Sequence, residues 1–96
     1  MSVYPVVYDA VKGTIECLSN GEYEAAGGKL FFLWENIGYE ISDPEKGPQA
    51  VELVNKASAL ILGEDPYSAE PLRVHSLSAD ELAEAISYLK ELLEVV

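Results

Sequence analysis

The side chains best suited to nucleophilic or acid–base chemistry are Cys17 and His75, the only cysteine and the only histidine in the chain. A Cys–His pair would need both side chains in one cleft. Cys17 falls near the apolar face of the first predicted helix, where a thiol usually serves as packing. His75 precedes a helix start, which disfavours a positive imidazolium. We therefore predict a buried thiol, a neutral surface or hydrogen-bonding histidine, and no catalytic residue.

Metal and cofactor chemistry has little support in the sequence. Four acidic residues in predicted loops could offer oxygen ligands, namely Asp43, Glu45, Glu64 and Asp65, but their spacing matches no calcium loop. The chain lacks HExxH, paired CxxC and glycine-rich phosphate-binding motifs. We predict no metal and no cofactor. Because two of the 17 acidic residues could converge in space, a small carboxylate-dependent hydrolase is the least favoured alternative.

The charge balance is the strongest indication of a partner class. The chain has 17 Asp and Glu against 6 Lys and Arg, a net charge of −11. Such a chain is repelled by nucleic acid and by anionic membranes, so a basic protein partner is favoured. Acidity that only maintains solubility is the alternative. No apolar run approaches the roughly 20 residues of a membrane span, and no secretory signal pattern follows Met1. With a single cysteine, these features predict a cytoplasmic protein.

Six tyrosines are many for 96 residues. Tyrosine gives a rigid contact area with a polar tip and is common at interfaces, although several of the six could simply edge the core. We expect Tyr4, Tyr67 and Tyr88 to be the most exposed.

Hydrophobic periodicity predicts four helices. The first follows Pro5 and ends at the turn 19–21, and its apolar face comprises Val7, Val11, Ile15 and Leu18. The second covers 24–37 and ends at Gly38, with the apolar stripe Ala26, Leu30, Leu33, Trp34 and Ile37. Because Phe31 and Phe32 make this region apolar on more than one side, a strand over 29–34 is the rival interpretation.

The third predicted helix opens at Pro48, after the loop 42–48, and runs to about Leu62, with Gly63 as the residue after its cap. A loop over 64–71 follows, then a strand or extended segment over 72–75. The fourth helix begins with a capping box formed by Ser78 and Glu81.

The fourth helix has an acidic outer face. Its apolar positions fall in one arc, and the opposite arc holds Asp80, Glu84, Ser87, Glu91 and Glu94. Like charges at 80 and 84, and acids near the negative end of the helix dipole, cost stability. A stripe that costs stability suggests a basic partner, and Tyr88 flanks it as an aromatic anchor. A merely solvated face is the alternative.

Three stretches from residue 29 onward resemble the YfbM-like domain of unknown function: 29–37 around Trp34, 59–64 ending in Leu62-Gly63, and 74–85 around the capping box. The resemblance covers about 29–96. It implies a small α+β domain and no particular reaction.

We expect one domain over 1–96 that is mainly α, with four helices and one or two short strands at most. The alternative is an α+β fold with a small antiparallel sheet. The leading function is a non-catalytic acidic interaction protein that binds a basic protein, for which an inhibitor or immunity protein of a bacterial or phage conflict system would fit. The other alternative is a structural or assembly subunit that forms a homo-oligomer. The expected partner-binding residues are Asp80, Glu84, Ser87, Tyr88, Glu91, Glu94 and Tyr67.

Overall fold

The computed structural model describes residues 4–67 and 72–96. Its elements, in chain order, are α1 Pro5–Ser19, α2 Tyr23–Glu40, α3 Lys46–Ile61, a 3₁₀ helix Arg73–Ser76 and α4 Ala79–Val95. Neither described range contains a strand. The prediction of a mainly α, four-helix fold is confirmed, and the α+β alternative is wrong. Positions 68–71 of the predicted loop 64–71 lie outside the described residues.

Helix α1 begins and ends where its sequence signals predict. Pro5 occupies the first helical position, where its missing N–H is not needed, and Gly21 follows the helix with a φ of 76°. The buried face differs at one position. Thr14 is fully buried and its hydroxyl donates to the Ala10 carbonyl at 2.7 Å, whereas Ile15 is only half-buried.

Helix α2 corrects two expectations. Residues 29–34 are helical, so the rival strand is wrong, and the helix continues through Gly38 to Glu40. The Ile41 N–H still donates to the Ile37 carbonyl at 3.2 Å, and the Ile41 side chain is buried. A glycine inside a helix costs only about 1 kcal/mol relative to alanine. Burial of the Ile41 side chain offsets this cost, so the helix continues past Gly38.

Helix α3 starts two residues before the predicted Pro48. The Asp43 carboxylate accepts hydrogen bonds from the backbone N–H groups of Glu45 and Lys46, at 2.8 and 2.9 Å, so a side chain earlier in the loop opens the helix. These hydrogen bonds, led by that of Lys46, lower the pKa of Asp43. At the other end Gly63 takes a φ of 99° and its N–H donates to the Ser58 carbonyl, as expected of a residue after the cap.

The segment predicted as a strand over 72–75 is instead a turn of 3₁₀ helix, Arg73–Ser76. The His75 N–H donates to the Leu72 carbonyl at 3.3 Å, so this backbone satisfies its hydrogen bonds locally rather than in a sheet. Leu72 itself packs on α2, where a Cβ added at Gly27 would lie 2.7 Å from Leu72 Cδ1. This contact packs the segment against α2.

Helix α4 has the predicted capping box. The Glu81 N–H donates to Ser78 Oγ at 3.2 Å, and the Ser78 N–H donates back to Glu81 Oε1 at 3.3 Å. The apolar face turns Ala85, Leu89 and Leu92 into the core.

The four helices form a bundle around one apolar core. Helices α1 and α3 each pack against both α2 and α4, so α2 and α4 lie across the bundle from one another. The largest fully buried side chains come from all four helices: Leu18, Leu30, Leu33, Ile61, Leu89 and Leu92. The outer faces of α2 and α4 therefore point in different directions. Candidate residues on these two faces belong to separate surfaces.

Candidate partner-binding site

The acidic stripe predicted on α4 comprises Asp80, Glu84, Ser87, Glu91 and Glu94, and all five side chains are exposed. In the part of the chain that the structure describes, the ion pairs within 4.0 Å are Lys56–Glu52 and His75–Glu24, so no carboxylate of the stripe is paired with a cation. The stripe is thus open to a positively charged partner along the length of α4.

Tyr88 is less free than its predicted role as an anchor requires. Its ring is half-buried, and its hydroxyl donates to Glu84 Oε1 at 2.6 Å, one turn earlier on α4. This hydrogen bond, together with partial burial and the charge of Glu84, raises the pKa of Tyr88. Tyr88 is therefore less exposed than expected and contacts Glu84 of the stripe, and its role as an aromatic anchor stays a prediction.

A lysine from α3 stands beside the stripe. Lys56 Nζ lies 5.6 Å from the centre of the Tyr88 ring and 3.1 Å from Glu52 Oε1. The hydrogen bond from Lys56 to Glu52, followed by the charge of Glu52, raises the pKa of Lys56, so this amine stays positive. Lys56 is a cation–π partner of Tyr88.

The stripe borders a shallow groove between α3 and α4, with a volume of about 470 Å³. It is lined by Lys46, Gln49, Glu52, Leu53, Lys56, Glu91, Glu94 and Val95. The lining includes three carboxylates and two lysines, together with the apolar side chains of Leu53 and Val95.

The structure separates Tyr67 from the other predicted site residues. Tyr67 follows α3 and lies over α2, across the bundle from α4. Its ring makes edge contacts with Trp34 and Phe31, with centroids 5.2 and 5.5 Å away, and its hydroxyl donates to Glu35 Oε2 at 3.3 Å. The residues predicted as one partner-binding set therefore form two surfaces.

The expected ranking of the tyrosines is right only in part. Tyr67 is 67% exposed, but Tyr4 and Tyr88 are half-buried, and Tyr39 is 88% exposed. Tyr39 was missed because α2 was expected to end at Gly38. Once the helix continues, position 39 falls on its outer face with Phe32 and Glu35.

The prediction for His75, a surface or hydrogen-bonding residue, is confirmed, whereas the prediction of a buried Cys17 is right only in part. Cys17 is a free thiol, half-buried against the core. His75 is at the surface, with Nε2 2.8 Å from Glu24 Oε1 and its ring edge-on to Tyr23. These contacts hold the histidine against α2.

The residues that sequence reasoning missed are Glu52 and Lys56 beside the stripe, and Glu35 beside Tyr67. Glu52 and Lys56 are an i,i+4 pair on α3, a signal that could have marked this exposed face. No local pattern could have brought Glu35 to Tyr67, since they are 32 residues apart.

Within residues 4–67 and 72–96, no group of three or more His, Cys, Asp and Glu side chains could hold a metal ion, and no helix has the length and apolar character to cross a membrane. Comparison with family models, curated proteins and solved structures finds no match for this chain. The resemblance to the YfbM-like domain stays a prediction from the three sequence stretches, and the α+β domain that it implies is not what the described residues form.

Proposed function

We propose that this chain is a non-catalytic interaction protein that binds a basic protein partner through the acidic stripe of α4. The observation behind the proposal is that the carboxylates of Asp80, Glu84, Glu91 and Glu94 are exposed on one helix face, with no ion pair to a lysine or arginine in the described part of the chain. An unpaired, one-sided row of charge speeds association with a surface of opposite charge.

The placement of the side chains with catalytic potential supports a non-catalytic role. Cys17 packs against the core, and His75 is engaged by Glu24. Neither lines the groove beside the stripe. A free thiol with no disulfide also suits the reducing cytoplasm, where we place the protein. An inhibitor or immunity protein that covers a basic effector would use a surface of this kind.

Affinity capture from the native host tests the proposal. The baits would be the natural protein, a stripe variant with Glu84→Lys and Glu91→Lys, and a control variant with Asp9→Lys and Glu16→Lys. Asp9 and Glu16 are exposed on α1 and also lie seven residues apart, so both variants change the net charge equally. Circular dichroism would establish that all three are folded.

We expect mass spectrometry to identify a basic protein retained by the natural bait and the α1 control and lost from the stripe variant. Its retention should fail as salt rises from about 0.1 to 1 M, because the Debye length then falls from ~10 to ~3 Å. A partner that is not basic, or one retained equally by the stripe variant, would refute the proposal.

The homo-oligomer alternative would pack through Phe31, Phe32 or α3, and Phe32 is 42% exposed. Two copies that each have a net charge of −11 repel one another, and this electrostatic cost opposes self-association. Light scattering at low and high salt separates the two functions, since only a homo-oligomer would be strengthened by screening.

A further inference from the structure

Three aromatic rings from two distant parts of the chain form an exposed aromatic surface, which comprises Phe31, Trp34 and Tyr67. Phe31 and Trp34 are on α2, with ring centroids 6.0 Å apart, and Tyr67 stands edge-on to both at 5.5 and 5.2 Å. Phe31 and Trp34 are half-buried, while 67% of Tyr67 is exposed. The rings are therefore held in place by one another, yet remain accessible from solvent.

Two carboxylates fix the outermost ring. The Tyr67 hydroxyl donates a hydrogen bond to Glu35 Oε2 at 3.3 Å, and its backbone N–H donates one to Asp65 Oδ1 at 3.0 Å. Partial burial and the charge of Glu35 raise the pKa of Tyr67. Both carboxylates are exposed, so the aromatic surface has a negative rim. An aromatic contact area held in one conformation loses little entropy on binding.

Within the described part of the chain, no lysine or arginine pairs with the carboxylates of this rim. Among the described residues, the cation–π contact is between Lys56 and Tyr88, on the other side of the bundle. Lys29, the nearest lysine in sequence on α2, extends along α1, where its Cδ would be 3.4 Å from a Cβ added at Gly13. Neither Glu35 nor Asp65 forms an ion pair with a described lysine or arginine.

Charge decides which occupant this surface fits. A second copy would bring another net charge of −11 and another Glu35, and nucleic acid is repelled in the same way. A cationic side chain gains from both parts of the surface, since its charge is attracted to the ring faces and to the carboxylates. Among cations, the planar guanidinium both stacks on aromatic rings and pairs with carboxylates.

We propose that the aromatic surface seats an arginine side chain of a basic protein segment, with the guanidinium against Tyr67 and Trp34 and within reach of Glu35. This inference rests on the proposed binding of a basic partner and adds a second contact site to it. Because α2 and α4 lie across the bundle from one another, the aromatic surface and the acidic stripe can be altered independently.

The chain contains its own reporter for this site, because Trp34 is the only tryptophan. Hexa-arginine would be titrated into the protein at low salt while the fluorescence emission of Trp34 is recorded. Isothermal titration calorimetry in parallel would measure binding anywhere on the protein. Hexalysine, which has the same charge and no planar group, is the control peptide. We expect hexa-arginine to change Trp34 emission at lower concentration than hexalysine.

Three variants complete the design. Tyr67→Ala should weaken the affinity for hexa-arginine, as measured by Trp34 emission, by ~3- to 30-fold. This is the range expected from loss of a cation–π contact. Glu35→Gln, which leaves the packing intact, should weaken it in the same direction. Tyr39→Ala, at an exposed position of the same helix, should change it by less than about twofold, as is usual for surface contacts outside a binding site.

The outcomes separate this inference from the proposed function. If hexa-arginine binds by calorimetry while Trp34 emission is unchanged, or if Tyr39→Ala weakens the affinity as much as Tyr67→Ala does, the arginine site is elsewhere and the proposed function stands. A dimer that is broken by Tyr67→Ala would assign the surface to a second copy and overturn the inference. If neither peptide changes Trp34 emission and neither gives heat at low salt, this inference is overturned, while the proposed function is decided separately by capture with the stripe variant.

Discussion

The Tyr88 hydroxyl donates a hydrogen bond of 2.6 Å to the Glu84 carboxylate, one helical turn away on α4. Lys56 Nζ, from α3, lies 5.6 Å from the centre of the same ring. These two contacts connect the acidic stripe to the neighbouring helix, and the hydrogen bond orients Glu84 toward Tyr88. A carboxylate that is already ordered loses less side-chain entropy when it meets a partner.

This hydrogen bond should make stability depend on pH in the alkaline range. The raised pKa of Tyr88 means that folding favours the neutral phenol, whose ordinary pKa is 10.0. The resulting stabilisation is fully present below about pH 10 and is lost as pH rises through the higher folded pKa. Denaturant unfolding of the natural protein and Tyr88→Phe should therefore differ at pH 8 and converge above pH 10. The difference should shrink in a Glu84→Gln background, and persistence there would contradict the assignment.

The glycines of α2 should respond differently to alanine. Gly28 and Gly38 are exposed within the helix, and a Cβ at either would have no neighbour within 4 Å. Gly28→Ala and Gly38→Ala should each raise the free energy of unfolding by about 0.5–1 kcal/mol. Gly27→Ala should gain less, because its Cβ would lie 2.7 Å from Leu72 Cδ1 and Leu72 must shift. An equal gain at all three positions, by thermal unfolding, would contradict the packing of Leu72 on α2.

The helices could largely be predicted because their signals are local. Pro5 at the start of α1, the capping box of Ser78 and Glu81, and Gly63 after α3 each act within a turn or two of the helix end. The errors arise where a distant contact outweighs a local signal. Burial of Ile41 extends α2 past Gly38. Leu72 packs on Gly27, and the segment that follows forms a 3₁₀ turn where a strand was predicted.

The candidate site was predictable in one half only. Helical spacing fixes the acidic stripe because all its members lie on α4. The placement of Tyr67 depends on how a loop after α3 folds over α2, and no periodicity contains that information. Trp34 was assigned to the core from its spacing. It packs against the core but is only half-buried, and Tyr67 contacts part of its ring.

Core packing of α4 gives a direct test of the fold. Leu89 is fully buried, whereas Leu93 on the same helix is half-buried. Leu89→Ala should lower the free energy of unfolding by about 2–5 kcal/mol, through lost burial and the cavity left behind. Leu93→Ala should cost clearly less. Equal costs in urea unfolding would mean that α4 is rotated relative to the bundle.

Unpaired carboxylates should make the folded protein sensitive to salt. With a net charge of −11, the compact state is destabilised by self-repulsion, which salt screens. The melting temperature should therefore rise between about 10 and 150 mM NaCl, as the Debye length falls from ~30 to ~8 Å. The Glu84→Lys, Glu91→Lys variant should show a smaller rise. A melting temperature that is flat or falls would show that the acids are effectively paired.

Binding kinetics with the captured partner test the central claim most directly, that the stripe of α4 binds a basic protein. The association and dissociation rates of the stripe variant, Glu84→Lys with Glu91→Lys, would be compared with those of the control, Asp9→Lys with Glu16→Lys, at several salt concentrations. The proposal predicts that the stripe variant associates at least ~10-fold more slowly than the control at low salt, and that the difference narrows as salt rises. Equal association rates for the two variants would contradict it, because net charge alone would then explain the binding.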